Sequence, residues 1–153
     1  MKKILILGIV ASGKTTLAKK LSGDLQIPWY ELDAVVHEHT TQRKRTPDEQ
    51  LVILEDLDKK DMWIMEGTYR ESYHFLLDKA DNIIVINPPL WKRRVRILTR
   101  FIKQKIGLEQ SGYKPTFSIL KKMYIWTNEF EKDKDKFYEI LEPYKKKITF
   151  MIN

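Results

Sequence analysis

The chain has 153 residues, 42% of them hydrophobic and 32% charged, which suits one domain with a buried core. It has no cysteine, which excludes disulfides and thiolate metal sites, and its formal net charge of +7 favours anionic partners: nucleic acid, an anionic membrane surface or phosphorylated metabolites. No stretch has the roughly 20 apolar residues that span a bilayer, so we expect a cytoplasmic protein without a membrane partner.

The first half of the chain alternates short apolar runs with helical patterns. The predicted elements are strands at 2–7, 28–32 and 62–65 and a helix at 14–25. Thr46 is a suitable N-cap, and it is followed by a proline and two acidic residues. A second helix is therefore expected to begin at Pro47.

The second half of the chain continues this alternation. Its predicted elements are a short helix at 71–79, a strand at 82–86, a basic helix at 90–106, a loop at 107–115, a helix at 117–130, a solvated helical face at 131–136 and a strand at 148–152. Such alternation indicates a parallel sheet covered by helices on both faces, with ligands beyond the carboxyl ends of the strands. Four strand ends are candidates for one shared site: Leu7, Leu32, Met65 and Ile86.

Residues 8–15 fit the phosphate-loop (P-loop) pattern G-x-x-x-x-G-K-S/T, between a predicted strand and a predicted helix. The two glycines allow backbone amides to point at phosphate oxygens, and the helix N-terminus adds a positive dipole end. Lys14 is expected to reach the β- and γ-phosphates of ATP, and the Thr15 hydroxyl is expected to ligate Mg²⁺. The residues predicted to bind the nucleotide are Gly8, Ala11, Ser12, Gly13, Lys14, Thr15 and Thr16.

Two classes of P-loop protein fit this sequence poorly. A GTPase needs a guanine-reading Asn-Lys-x-Asp segment, and the sequence has none. ATPase motors usually carry a strand that ends in aspartate, whereas the most apolar strand here ends before Asn87. A small phosphotransferase is the class that remains.

Polar residues after two predicted strands support a phosphotransferase. Asp33 follows the second strand, where a carboxylate can orient an acceptor hydroxyl, take its proton, or hold Mg²⁺ through water. Glu66 lies at the end of the third strand and is predicted to help hold Mg²⁺, through water. Gly67 allows close backbone approach, and Arg70 can clamp an anion. The predicted substrate-binding residues are Asp33, Glu66, Gly67 and Arg70. The alternative interpretations are a loop aspartate that caps the next segment, a turn glycine and a surface arginine.

The stretch 88–108 carries seven lysines and arginines and no acidic residue. Arg93, Arg96 and Arg100 lie on one face of the predicted helix, where guanidinium groups can stabilise the charge of a transferred phosphoryl group. The neighbouring residues, about 100–120, suit a lid that excludes water. A basic solvated face and a nucleic-acid patch are the alternatives.

Beyond these motifs, the chain resembles the adenylate-kinase-like group of small P-loop kinases, and more closely the bacterial DNA topology modulation (FlaR-related) proteins. The matching segments are 8–15, 30–33, 63–69 and the arginine-rich helix 91–100. The resemblance implies a five-strand parallel sheet with a lid and a nucleotide or metabolite kinase, although the family name implies an effect on DNA supercoiling. That family carries aspartate where this chain has Glu66.

The overall prediction is a single α/β domain over residues 1–153: a P-loop three-layer sandwich with a five-strand parallel sheet and a small helical lid. The first hypothesis is a kinase that transfers the ATP γ-phosphate to a small acceptor such as a nucleoside or nucleotide. The second is a DNA-associated protein that uses ATP as a switch and places its basic helix, 91–105, on DNA. The acceptor pocket is expected around Asp33, His37, Arg43 and Arg70.

Overall fold

The computed structural model describes residues 3–38, 43–109 and 114–152. Within them, five strands form one parallel sheet: β1 (Lys3–Gly8), β2 (Trp29–Glu31), β3 (Trp63–Gly67), β4 (Asn82–Ile86) and β5 (Ile148–Met151). The strand order is β2-β3-β1-β4-β5, so β1 lies at the centre. The predicted α/β fold with a five-strand parallel sheet is confirmed.

The helices of the described residues are α1 (Lys14–Leu25), α2 (Leu32–Val36), α3 (Pro47–Asp58), α4 (His74–Lys79), α5 (Leu90–Lys105) and α6 (Phe117–Leu141). Short 3₁₀ helices at Glu71–Tyr73 and Glu142–Lys147 complete the set. α2 was not predicted, and it places Asp33 in a first helical turn instead of a loop. The predicted lid covers the end of α5, the start of α6 and a connection of which residues 110–113 lie outside the described residues.

The core lies on both faces of the sheet because successive strand residues point to opposite sides. On β1, Leu5 and Leu7 join the larger apolar cluster, which includes residues of α2, α3, α4 and α6. Ile4 and Ile6 join a smaller cluster that includes Ala18 of α1. The sheet is therefore held rigid at its centre, where β1 leads into the phosphate loop.

Among the long helices of the described residues, α3 and α6 have a side-chain N-cap, whereas α1 and α5 have none. The Thr46 side chain accepts a hydrogen bond from the Glu49 amide in a capping box at α3, and Thr116 caps α6 in a similar way. At α1 the N-cap is Gly13, which provides no side-chain hydrogen bond. The first amides of a helix lack intrahelical partners, so those of α1 are left for a ligand.

No helix among the described residues is both long enough and apolar enough to cross a membrane.

Candidate functional site

The phosphate loop connects the end of β1 to the start of α1, and its backbone requires glycine at two positions. A Cβ atom added to Gly8 would lie 2.6 Å from the Ile86 carbonyl oxygen and 2.7 Å from Ser12 Oγ. Gly13 has a φ of 100°, and Ala11 also has a positive φ, of 58°. Glycine adopts such angles readily, whereas an alanine there stores backbone strain. The loop is thus held in a conformation with two positive φ angles, one of them at the non-glycine residue Ala11.

Lys14 opens α1 and is folded back over the loop. Its Nζ donates a hydrogen bond of 2.9 Å to the Ile9 carbonyl oxygen. Burial lowers the pKa of the Lys14 ammonium, and the carboxylates of Glu66 and Asp33 oppose that shift. A cation that has lost its water in this way gains strongly from an anionic ligand.

Glu66 lies beside the loop because β3 pairs with β1 in a register that places Glu66 opposite Ile6. The Thr15 hydroxyl donates a hydrogen bond of 2.6 Å to Glu66 Oε1. Glu66 is 5% exposed, and burial raises the pKa of its carboxyl, while the Thr15 hydrogen bond and the Lys14 charge oppose the shift. The carboxylate of Glu66 is thus hydrogen-bonded to the hydroxyl of Thr15, which the sequence predicts to ligate Mg²⁺.

Gly67, the last residue of β3, and Thr68, which follows it, also contact the residues around the phosphate loop and β2. Thr68 Oγ1 donates a hydrogen bond of 3.2 Å to the Gly8 carbonyl oxygen. A Cβ atom on Gly67 would lie 2.8 Å from the Cβ atom of Leu32, so glycine is required there for close packing. Sequence analysis missed Thr68, although its place directly after a strand-ending glycine is a usable signal.

Asp33 and Arg70 face each other on the neighbouring strand ends. Arg70 Nη2 lies 3.8 Å from Asp33 Oδ1, and the Nε atom of Arg70 is buried with no hydrogen-bond partner in the described part of the chain. Below them, Tyr73 donates a hydrogen bond to the Leu32 carbonyl oxygen, and burial raises its pKa to about 12. The structure therefore brings a carboxylate and an incompletely paired guanidinium together, next to the loop.

The three arginines predicted to act together on α5 are separated. Arg96 Nη1 donates to the Ser12 carbonyl oxygen at 3.1 Å, so Arg96 contacts the phosphate loop. Arg100 pairs with Glu109 at 3.2 Å.

Arg93 differs from the other two in its burial and its partners. It is fully buried, forms an ion pair with Glu131 of α6, and donates from Nε to the Pro88 carbonyl oxygen at 3.1 Å. Arg93 is therefore engaged within the protein, because α6 packs over that side of α5 and supplies the paired carboxylate.

A cavity of about 500 Å³ lies beside the phosphate loop. Its lining residues come from the loop, α1, α5 and β5: Gly13, Thr16, Leu17, Lys20, Arg96 and Met151. This volume is in the range of small-molecule sites. Sequence analysis missed Met151, although β5 also ends at the carboxyl edge of the sheet and the same rule applies to it.

Comparisons with known proteins agree with this architecture. No family model matches the chain, and no curated protein matches it. The chain is similar to the structure of a shikimate kinase from Acinetobacter baumannii in complex with shikimate, with a TM-score of 0.55 and 14% identity over 100% of this chain and 83% of that one. It is also similar to a gluconokinase from Sinorhizobium meliloti 1021, with a TM-score of 0.50 and 15% identity over 80% and 72% of the two chains.

The fold is that of small P-loop kinases. Identities this low establish the fold alone, so the roles of individual residues depend on the geometry described above. That geometry brings Lys14, Thr15, Glu66 and Arg96 around the loop, with Asp33 and Arg70 at the neighbouring strand ends.

Proposed function

We propose that this chain is an ATP-dependent phosphotransferase that moves the γ-phosphate of ATP to a hydroxyl of a small acceptor. The observation that carries the proposal is the 2.6 Å hydrogen bond from Thr15 to Glu66, next to the half-buried Lys14. This hydrogen bond places a carboxylate of β3, the neighbouring strand in the sheet, beside the phosphate loop. Phosphoryl transfer with Mg²⁺ commonly uses a loop hydroxyl and a nearby carboxylate to hold the cation. The kinase-like fold supports the same reaction class.

The phosphate loop would hold the triphosphate of ATP. The uncapped N-terminus of α1 and the strained loop favour backbone contacts to phosphate oxygens, and Lys14 would pair with the β- and γ-phosphates. The cavity beside the loop would receive the nucleoside. The nucleotide-binding set is Gly8, Ala11, Ser12, Gly13, Lys14, Thr15 and Thr16.

Thr15 and Glu66 suit a Mg²⁺ site. Because the Thr15 hydroxyl donates its proton to Glu66, its oxygen lone pairs face away from that carboxylate and remain available to a cation. No group of three or more carboxylate or imidazole side chains converges in the described residues, which fits a cation held jointly by one hydroxyl, a carboxylate through water, and phosphate oxygens. Bound there, Mg²⁺ would neutralise charge on the transferred group.

Asp33 and Arg70 are proposed to bind the acceptor. Asp33 would accept a hydrogen bond from the reacting hydroxyl, and Arg70, with its unpaired Nε, would hold an anionic group of the acceptor. Gly67 lets β3 pack closely against Leu32, the residue that precedes Asp33. This pairing favours an acceptor that carries both a hydroxyl and a phosphate or carboxylate, such as a nucleotide or a hydroxy acid.

Two of the three arginines are proposed to serve catalysis. Arg96, which contacts the phosphate loop, and Arg100, whose charge acts on Lys14, are placed to stabilise charge on the transferred phosphoryl group. Arg93 is proposed to hold α5 against α6 through its ion pair with Glu131.

We also propose membership of the DNA topology modulation group of adenylate-kinase-like kinases, with a cytoplasmic location. The support is the set of four motif segments, and the hydrogen bond from Thr15 places Glu66 beside the phosphate loop despite the change from aspartate. The reaction is preferred over an ATP-switched DNA protein because Arg93 and Arg96 of the basic helix are engaged within the protein.

The test is γ-phosphate transfer with Mg²⁺-ATP against nucleosides, nucleoside monophosphates, sugars and small hydroxy acids. We expect one acceptor class to be phosphorylated, and Lys14→Met to lower turnover at least about 100-fold, since a preorganised cation at the transferred group is lost. Lys19→Met, on the exposed side of α1, is the matched control and should retain wild-type turnover. A flat panel, or equal turnover by the Lys14 variant, would contradict the proposal.

A further inference from the structure

α5 has apolar side chains on two opposite faces. One face is buried in the protein and includes Ile97. The opposite face is solvent-exposed, and its five large apolar residues are between 44% and 63% exposed: Trp91, Val95, Leu98, Ile102 and, directly after the helix, Ile106. Their spacing of three and four residues aligns them in a single row, which we term the outer stripe.

Basic residues flank the outer stripe on both sides. At 100° per residue, Lys92 and Lys103 lie along one side, and Arg94 and Lys105 lie along the other. No carboxylate of the described residues pairs with Lys92, Lys103 or Lys105, and the stretch 88–108 contains no acidic residue. The exposed surface of α5 is therefore an apolar row between two positive edges.

The neighbouring helix shows that this arrangement is not a general property of the surface. The second half of α6, from Glu129 onward, mixes both signs of charge and holds an ion pair between Lys136 and Asp133 at 3.1 Å. An ordinary solvated helix has that mixed pattern. The outer stripe differs from it because its charges have one sign and its centre is apolar.

We propose that the outer stripe docks on an anionic lipid surface, with α5 lying in the plane of the interface. Helices that bind this way have an apolar row that enters the headgroup boundary and Lys or Arg edges that contact anionic headgroups. Trp91 suits the boundary, since an indole has both an apolar body and a polar N–H group. The expectation of no membrane partner is revised accordingly.

The charges and the apolar row together favour lipid over two other partners. A second copy of the chain would bring the positive edges of the two copies together, which is repulsive. Nucleic acid would satisfy the basic edges but would place Val95, Leu98 and Ile102 against charged phosphates. An anionic bilayer provides negative headgroups for the basic edges and an apolar interior for the outer stripe. Arg96 lies next to the edge formed by Lys92 and Lys103, and its guanidinium is hydrogen-bonded to the phosphate loop.

The test is co-sedimentation of the full chain with vesicles of phosphatidylglycerol and phosphatidylcholine, compared with phosphatidylcholine alone. We expect binding to the anionic vesicles, with affinity falling as NaCl rises from about 0.1 M to about 1 M, because screening shortens the reach of the basic edges. The double variant V95Q/I102Q should bind at least about tenfold more weakly, since two apolar side chains no longer leave water. Val52→Gln, at an equally exposed position on α3, is the matched control.

Three results would overturn the proposal. One is no binding to anionic vesicles, and another is binding that V95Q/I102Q leaves unchanged, because charge alone would then account for it. The third is a lipid-free dimer or a DNA complex that V95Q/I102Q abolishes while vesicle binding is absent. The substituted positions are exposed, so circular dichroism is expected to show an intact fold and each comparison can be made on folded protein.

Discussion

β3 carries a charged cluster near each of its ends, and the two clusters differ in how completely their polar atoms are paired. At the amino end, Asp58 accepts a hydrogen bond from Lys3 at 2.7 Å and another from the Trp63 indole at 3.1 Å. Lys79 approaches the same carboxylate at 4.0 Å. This cluster joins α3 to the first residues of β1 and β3 and resembles an ordinary structural ion pair.

At the carboxyl end the charges are more buried and less completely satisfied. Burial lowers the pKa of Lys14 and raises the pKa of Glu66, so it favours the neutral form of each side chain. The buried atoms Ser12 Oγ and Arg70 Nε have no hydrogen-bond partner among the described residues. Unpaired buried polar groups cost free energy unless a ligand satisfies them. The comparison indicates that the amino end stabilises the fold, while the carboxyl end is kept ready for an anionic ligand.

The largest effect on stability is expected from Asp58→Asn. Removing this charge should lower the free energy of unfolding by about 2 kcal/mol, because charge-assisted hydrogen bonds from Lys3 and Trp63 are weakened or lost. Urea unfolding measures the change, and ATP binding should be unaffected. Asp56→Asn is the control, since its pair with Lys59 is exposed and should contribute less than about 0.5 kcal/mol. Equal stability of both variants would remove the distinction between the two ends.

A smaller effect of opposite sign is expected from Glu66→Gln. Burial raises the pKa of Glu66 in the folded state, so its ionised form opposes folding once the pH exceeds that pKa. At neutral pH the ligand-free variant should therefore be more stable than the wild type by about 1 kcal/mol, the ordinary scale of one substitution. The gain should shrink as the pH falls through the folded pKa, and it should vanish below the pKa of an unfolded glutamate.

Thermal unfolding at several pH values measures this effect. Glu55→Gln, at an exposed position of α3, is the control and should show no such pH dependence. If the Glu66 variant were less stable than the wild type at neutral pH, its carboxylate would be a structural group like that of Asp58.

Much of the fold could be predicted because the decisive signals are local. Asn82–Ile86 was predicted as a strand at its observed bounds, and the capping box at Thr46 begins α3 where the sequence placed it. The phosphate-loop pattern also predicted the start of α1 at Lys14, as observed, while β1 ends one residue later than predicted, at Gly8. α2 was missed because its five residues contain less than two turns of periodicity.

Tertiary partners were harder to predict. Helical spacing alone grouped Arg93 with Arg96, but the packing of α6 decides that Arg93 meets Glu131. The same spacing places apolar residues on two faces of α5, and it does not specify which face is buried. In the structure Ile97 is buried and Val95 is exposed. The hydrogen bond between Thr15 and Glu66 depends on the register of β1 and β3, which the linear pattern of the two strands does not specify.

The most direct test of the contrast between the two ends is thermal unfolding with and without saturating Mg²⁺-ATP, for the wild type, Asp58→Asn and Lys14→Met. A ligand at about 100 times its Kd stabilises the folded state by about 2.7 kcal/mol. We predict that Mg²⁺-ATP stabilises the wild type and Asp58→Asn by this amount, although Asp58→Asn starts from a lower stability. We predict little stabilisation of Lys14→Met by the same ligand. The same gain in Lys14→Met, or none in the wild type, would contradict the assignment of the carboxyl end as the nucleotide site.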